Sequence, residues 1–139
     1  MILFYSSLFF LFSTFFQTTS VEGIWITKDD ETGLEKSEVL IYMEKGKLYG
    51  KITELLLPED QGKKCVNCKG SNKDLPMVGM IIINDMQLDE ESWEEGTILD
   101  PKSGKVYDCS LSLEDENTLK VRGYLGFSIL GRTQTWRRK

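Results

Sequence analysis

The chain of 139 residues contains no histidine and only three cysteines, Cys65, Cys68 and Cys109. Tetrahedral zinc needs four thiolate or imidazole ligands, so a zinc clamp built from these residues is one ligand short. No lysine or arginine precedes Lys28, and beyond the N-terminus no apolar run approaches the ~20 residues of a membrane-crossing helix. No later stretch keeps the 3.6-residue spacing of a long amphipathic helix, although "LLLPEDQG" has room for a short turn. Acidic side chains outnumber basic ones, 22 to 17, for a formal charge of -5. Nucleic acid and anionic lipid both demand clustered cations, so neither is expected as the main partner. The basic ending "WRRK" is too short to reverse that balance and reads as a solvated terminus.

What is present starts with "MILFYSSLFFLFSTFF", an apolar run of about 15 residues, long enough for a signal-peptide core and short for a span. Thr18 and Ser20 are small enough for the -3 and -1 positions of a cleavage site. The expectation is a signal peptide over residues 1–20, a single domain over residues 21–139, and export to the periplasm or the cell exterior. No cysteine follows the cut, so a lipid anchor is not indicated.

The domain is written in period two. "VYDCSLSLE" places Tyr107, Cys109, Leu111 and Leu113 on one face and Asp108, Ser110, Ser112 and Glu114 on the other, the pattern of a half-buried antiparallel strand. "GIWIT", "EVLIYM", "KLYGKITELLL", "MVGMIII", "GTILD", "LKVRGYL" and "RTQTWRR" read the same way. Turn chemistry separates them at "DDETG", "EKGK", "DPKSGK" and "DENT". Short strands with short connections predict an all-β antiparallel meander, and about eight strands remove their exposed edges by closing into a barrel. The longest interruption, residues 58–76, carries both Cys65 and Cys68.

"GIWIT", "IYMEKGKLYGKI", "CVNCKG", "GTILDPKSGKVYDC" and "LKVRGYLGFSILGRTQTW" together resemble the bacterial DUF2147 family, a family of unassigned function whose fold is similar to the lipocalin-like (calycin-like) barrels. The resemblance covers essentially the whole chain after the signal and implies a small exported β-barrel. In such barrels a Gly-x-Trp on the first strand lies near the closure and an arginine from a late strand packs across the tryptophan. Gly23 and Trp25 fit the first part, and Arg122 and Arg132 are the candidates for the second. A guanidinium over an indole face joins cation–π attraction to hydrogen bonds with backbone carbonyls.

In an oxidising compartment an ordinary disulfide is the favoured reading of "KKCVNCKG" over a metal or redox role, since "KGSNKDLP" is loop composition and not the helix that would lower a thiol pKa. Cys65 with Cys68 is the preferred pairing, leaving Cys109 buried and free; a longer bridge from either to Cys109 is the alternative. On the last strand, alternation puts Arg132, Gln134 and Trp136 on one side. An inward arginine must find a partner, whether Trp25, a carboxylate such as Asp100, or the anionic head of a ligand. Candidate ligand-facing residues are therefore Arg132, Gln134 and Trp136, with Arg122 and Tyr107. Asp100, Pro101 and Gly104 serve a hairpin turn. Lys105 beside Tyr107 offers an acid without a placed base, so no catalytic residue is assigned and no cofactor is implied.

Three functions fit, in this order: an exported binder of a small lipophilic or amphipathic molecule, an envelope protein whose barrel is filled by its own side chains, and a calycin-like enzyme. If the first 20 residues are a cleaved signal, N-terminal sequencing of exported protein reads from close to Val21. Soluble protein beginning at Met1 contradicts this.

Overall fold

The computed structural model describes residues 20–125 and 131–139. The expected signal segment therefore lies outside the described residues save for Ser20, as do residues 126–130 of the "LKVRGYLGFSILGRTQTW" motif. Eight antiparallel strands follow in order: β1 (Gly23–Lys28), β2 (Glu35–Glu44), β3 (Lys47–Leu55), β4 (Ile81–Asp89), β5 (Ser92–Leu99), β6 (Val106–Asp115), β7 (Thr118–Tyr124) and β8 (Gly131–Arg138). Each pairs with the next, and β8 returns to β1 through Trp25 opposite Arg138 and Ile26 opposite Arg137, closing the barrel. Two single 3₁₀ turns, Pro58–Asp60 and Gly70–Asn72, are the helical elements among the described residues.

All eight expected strands form, with two shifted. β4 begins at Ile81, after "MVGM", and runs on to Asp89, while β5 starts at Ser92, well before "GTILD". Bulges explain why alternation hid these segments. Asp85 and Glu95 hold positive φ (56° and 63°), and register slips beside each, against β3 and β6 respectively. Ile83 and Met86 can then both point inward although three positions apart.

The two barrel ends differ. The tight β2–β3, β4–β5 and β6–β7 turns meet the chain termini at one end, and the barrel there is solid, filled by Trp25, Val39, Ile41, Leu48, Ile83, Met86, Leu111 and Leu119. The longer connections gather at the other end, and there the interior is hollow.

The seal of the solid end is Arg138, neither Arg122 nor Arg132. Its guanidinium lies 4.3 Å from the Trp25 ring centroid. Nε donates to the Glu116 carbonyl (2.7 Å), Nη1 to that of Glu22 (2.9 Å) and Nη2 to that of Ser20 (2.8 Å). One planar fork thus ties the N-terminal segment and the β6–β7 turn to the last strand, while the Trp25 indole donates to the Val21 carbonyl (2.8 Å). Gly23 makes room: its φ is +132°, and a Cβ there would sit 3.0 Å from Arg138 Nη1. Arg138 shares the inward parity of Arg132 but at the opposite end of β8, and β8 meets β1 at the end where Trp25 lies.

The reading of "WRRK" as a solvated terminus is corrected by the same geometry. Arg137 grips Glu35 with two hydrogen bonds (2.6 and 3.0 Å), holding that carboxyl below its usual range, and Lys139 pairs with Glu38 (2.7 Å). The tail is a clasp across β1 and β2. Arg138→Ala is expected to lower stability in urea unfolding by about 2–4 kcal/mol, from lost stacking and charged hydrogen bonds. Arg138→Lys should recover less than half, because an ammonium cannot reach three carbonyls. Arg137→Ala, which breaks an exposed pair, should do far less; an equal loss from both arginines would contradict the sealing role.

Candidate functional site

The hollow half holds a cavity of about 640 Å³ opening between the β1–β2, β3–β4 and β5–β6 connections and the ends of β7 and β8. Its depth is apolar: Ile52, Leu55, Ile82, Ile98, Val121 and the ring of Trp136. Tyr107 and Gln134 line it half-buried, and a buried pair of hydroxyls, Thr27 Oγ1 to Ser37 Oγ at 2.6 Å, marks its wall where β1 meets β2.

A polar chain runs from wall to rim. The Trp136 indole donates to Gln134 Oε1 (2.9 Å), Gln134 Nε2 donates to Asp30 Oδ2 (2.8 Å), and Arg132 Nε meets the same oxygen (2.9 Å). The inward arginine thus has a carboxylate partner, Asp30, and not Asp100 or Trp25. Asp30 is held in place by its neighbour: Asp29 Oδ1 accepts from the Glu31 and Thr32 amides (2.9 and 3.0 Å), which also lowers the Asp29 pKa. The β1–β2 loop is fastened to β8 across the mouth by this chain.

Of the sequence candidates, Arg132, Gln134, Trp136 and Tyr107 come together around the cavity. Arg122 does not join them. It lies between Val121 and Gly123, which face inward, so its side chain stands on the outer wall, against Gly131. Asp30 and the wall residues Ile52, Ile82, Ile98 and Val121 were not singled out from sequence. The last four carry only the general signal of apolar residues within strand segments, and Asp30 meets Gln134 across 104 positions with no local signal. The shifted ionisable groups at the rim have structural causes: Lys63 is raised by Asp60, 2.6 Å away, and Tyr124 by burial.

The cysteine loop forms one lip. Cys65 and Cys68 are disulfide-bonded and buried, and Cys109 is a buried free thiol on the inward face of β6. The stapled loop is seated on the β5–β6 turn. Asn67 Nδ2 donates to the Lys102 carbonyl (3.0 Å), and Cys65 Sγ lies 3.2 Å from the Pro101 carbonyl. Asp100 shapes the turn by accepting from the Lys102 amide (3.0 Å) and the Ser103 hydroxyl (2.9 Å). Gly104, at φ +74°, leaves no room for a Cβ, which would collide with the Asn67 carbonyl. Among the described residues no group of three or more Cys, Asp or Glu side chains is placed to hold a metal ion.

Residues 23–138 match the model of the family DUF2147, described as an uncharacterized protein conserved in bacteria. The chain belongs to this family. No curated protein matches it. Among solved structures it is similar to a protein of Helicobacter pylori described as belonging to the lipocalin family, with a TM-score of 0.76 and 20% identity over 88% of this chain and 84% of that one. At that identity the likeness establishes a lipocalin-like fold.

Burial pushes the Cys109 thiol up to about 12, with Glu94 adding to the shift. The folded state therefore holds this proton more tightly than the unfolded chain, and the stability it contributes is lost as pH rises from about 9 toward 12. At pH 8 a thiol reagent should find no reactive group in native protein and one per chain after denaturation without reductant. Three groups in the denatured protein would show that the Cys65–Cys68 bond is absent.

Proposed function

We propose that this protein is an exported binder of a small lipophilic or amphipathic molecule, held in the hollow half of the barrel. The observation that carries this reading is the cavity itself. Its volume falls within the roughly 300–1,000 Å³ of small-molecule sites, and its apolar depth with a few convergent polar groups has the composition of one. A barrel packed throughout by its own side chains would leave no such space. Export rests on the apolar N-terminal run and on the disulfide, which persists in oxidising compartments.

The polar groups narrow the ligand. No buried side-chain nitrogen or oxygen among the described residues lacks a partner, so the depth holds no unpaired charge awaiting an ionic group. Arg132 is already engaged by Asp30, and an anionic head would have to compete with that carboxylate. An apolar body in the depth, with an uncharged polar head beside Gln134 and Tyr107, suits the site best.

The test is a titration with 1-aminoanthracene, a neutral lipophilic fluorophore, read by energy transfer from Trp136. Gly123 provides the control: a Cβ there would meet only ordinary contacts, 3.5 Å to Tyr107 and 3.6 Å to Ile98, so Gly123→Leu grows into the cavity without backbone strain. Wild type should bind saturably at one site. Gly123→Leu should bind at least about tenfold more weakly, the equivalent of about 1.4 kcal/mol, at an unchanged melting temperature. An absence of saturable binding in wild type, together with no added mass on native protein taken from the envelope, would overturn the reading, as would equal binding by the variant.

A further inference from the structure

A net charge of -5 describes the chain and not its surface. Residues 61–73 and 101–107 carry six lysines (Lys63, Lys64, Lys69, Lys73, Lys102 and Lys105) and no acidic residue. The structure brings these two segments together, since the stapled loop is seated on the β5–β6 turn through Asn67 and Gly104. Against the four flanking carboxylates, Asp60, Asp74, Asp100 and Asp108, this lip keeps a net charge of +2. Lys63 is spent on Asp60, but Lys64, Lys69, Lys102 and Lys105 are exposed and have no ion-pair partner among the described residues.

Aliphatic side chains stand among the lysines. Val66, Leu75, Val78 and Val106 are each about half exposed on the same lip, and Leu34 and Leu125 are exposed across the mouth. These are six of the nine large exposed hydrophobic residues described: Leu34 and Leu125 line the cavity, and the other four lie in or beside the connections at that end of the barrel. Aliphatic residues interleaved with lysine are the composition of a surface that settles into the boundary of an anionic bilayer. A nucleic-acid surface would call for arginine and several stacking aromatic side chains; the lip has no arginine, and its single aromatic, Tyr107, lines the cavity.

We propose that the lip formed by the Cys65–Cys68 loop and the β5–β6 turn docks on an anionic lipid bilayer, presenting the cavity mouth to the membrane. Lys63, Met77 and Lys102 belong both to the lip and to the cavity lining, so the docked face and the opening are continuous. Docking itself does not require the cavity to be occupied. Anionic lipid was not expected from the net charge of the whole chain; on this proposal the lysines of one loop and one turn form a local cluster that the total conceals.

The test is co-sedimentation of protein exported to the periplasm of an expression host. Vesicles are phosphatidylcholine alone, or phosphatidylcholine with phosphatidylglycerol replacing a third of it. Binding is expected to the mixed vesicles only and to be lost in 1 M salt, where the Debye length is about 3 Å. A lysine near an anionic surface is worth roughly fivefold in binding, so Lys64→Glu with Lys69→Glu should weaken binding at least about 25-fold. Lys102→Glu with Lys105→Glu serves if the first pair disturbs the loop, and Lys120→Glu on the outer wall of β7 should change little. All forms share one N-terminus, so differences between them report the lip alone. No binding to the mixed vesicles, equal binding to neutral ones, or an effect of Lys120→Glu as large as that of the lip pairs would overturn the proposal. Because 1-aminoanthracene binding is measured without lipid, failure here and failure of the cavity reading are separately visible.

Discussion

A guanidinium lying on an indole closes one end of this barrel, and most of what the other end does depends on that closure. Eight strands form a tube with two mouths, and a tube open at both ends drains water through any apolar interior. Arg138 blocks one mouth by stacking on Trp25 while spending its donors on carbonyls from the N-terminal segment and the β6–β7 turn. The three carbonyls belong to backbone that the strands leave unpaired at that end, so the fork satisfies groups that water would otherwise have to reach. Behind this plug a solid layer of Leu48, Met86, Leu111 and Leu119 gives the cavity a floor.

The opposite mouth is held by different means. Its β3–β4 connection spans residues 56–80, long enough to collapse into the opening or swing away from it. The disulfide closes only a short ring, and on chain entropy alone such a ring stabilises by about 2 kcal/mol. Its larger effect is shape. With both sulfurs buried, the loop becomes a compact body that fits the glycine-made recess at Gly104. The β1–β2 loop is fastened separately through Asp30 to Gln134 and Arg132. Among the described residues, two lips border the entrance, one fixed by a covalent staple and one by a charged hydrogen-bond chain.

How far this was legible in the sequence follows from range. Period-two alternation is local, so the strands, the closed barrel and the inward face of Tyr107, Cys109, Leu111 and Leu113 could be read directly. The same locality hid β4 and β5, where bulges at Asp85 and Glu95 reset the parity that alternation relies on. The arginine of the seal was assigned to Arg122 or Arg132 on the family resemblance, which says only that it comes from a late strand, and only the β1–β8 register selects Arg138. Asp30 was out of reach for a related reason, since its link to Gln134 joins segments far apart in the chain, whereas the lysine lip was half visible in "KKCVNCKG" and is completed only where the β5–β6 turn meets that loop. Composition averages over exactly the separation that the fold removes.

Why one half is solid and the other hollow comes down to side-chain size along the inward face. On β1 the sequence passes from Trp25 at the seal to Thr27 at the cavity, on β2 from Ile41 and Val39 to Ser37, and on β7 from Leu119 through Val121 to Gly123. Three strands thus taper in the same direction, from large to small, toward the same mouth. Gly123 is the telling member, because no close approach demands it: its neighbours stand at ordinary contact distance, and its φ is not in the left-handed region. A residue without a side chain, at a position where one would fit, leaves volume behind. Thr27 and Ser37 point the same way, since hydroxyls are poor fillers of an apolar core and here satisfy each other at 2.6 Å, so that the space beside them makes no polar demand. The hollow is therefore set by the graded side chains of the strands themselves, and it persists whatever the loops above it do.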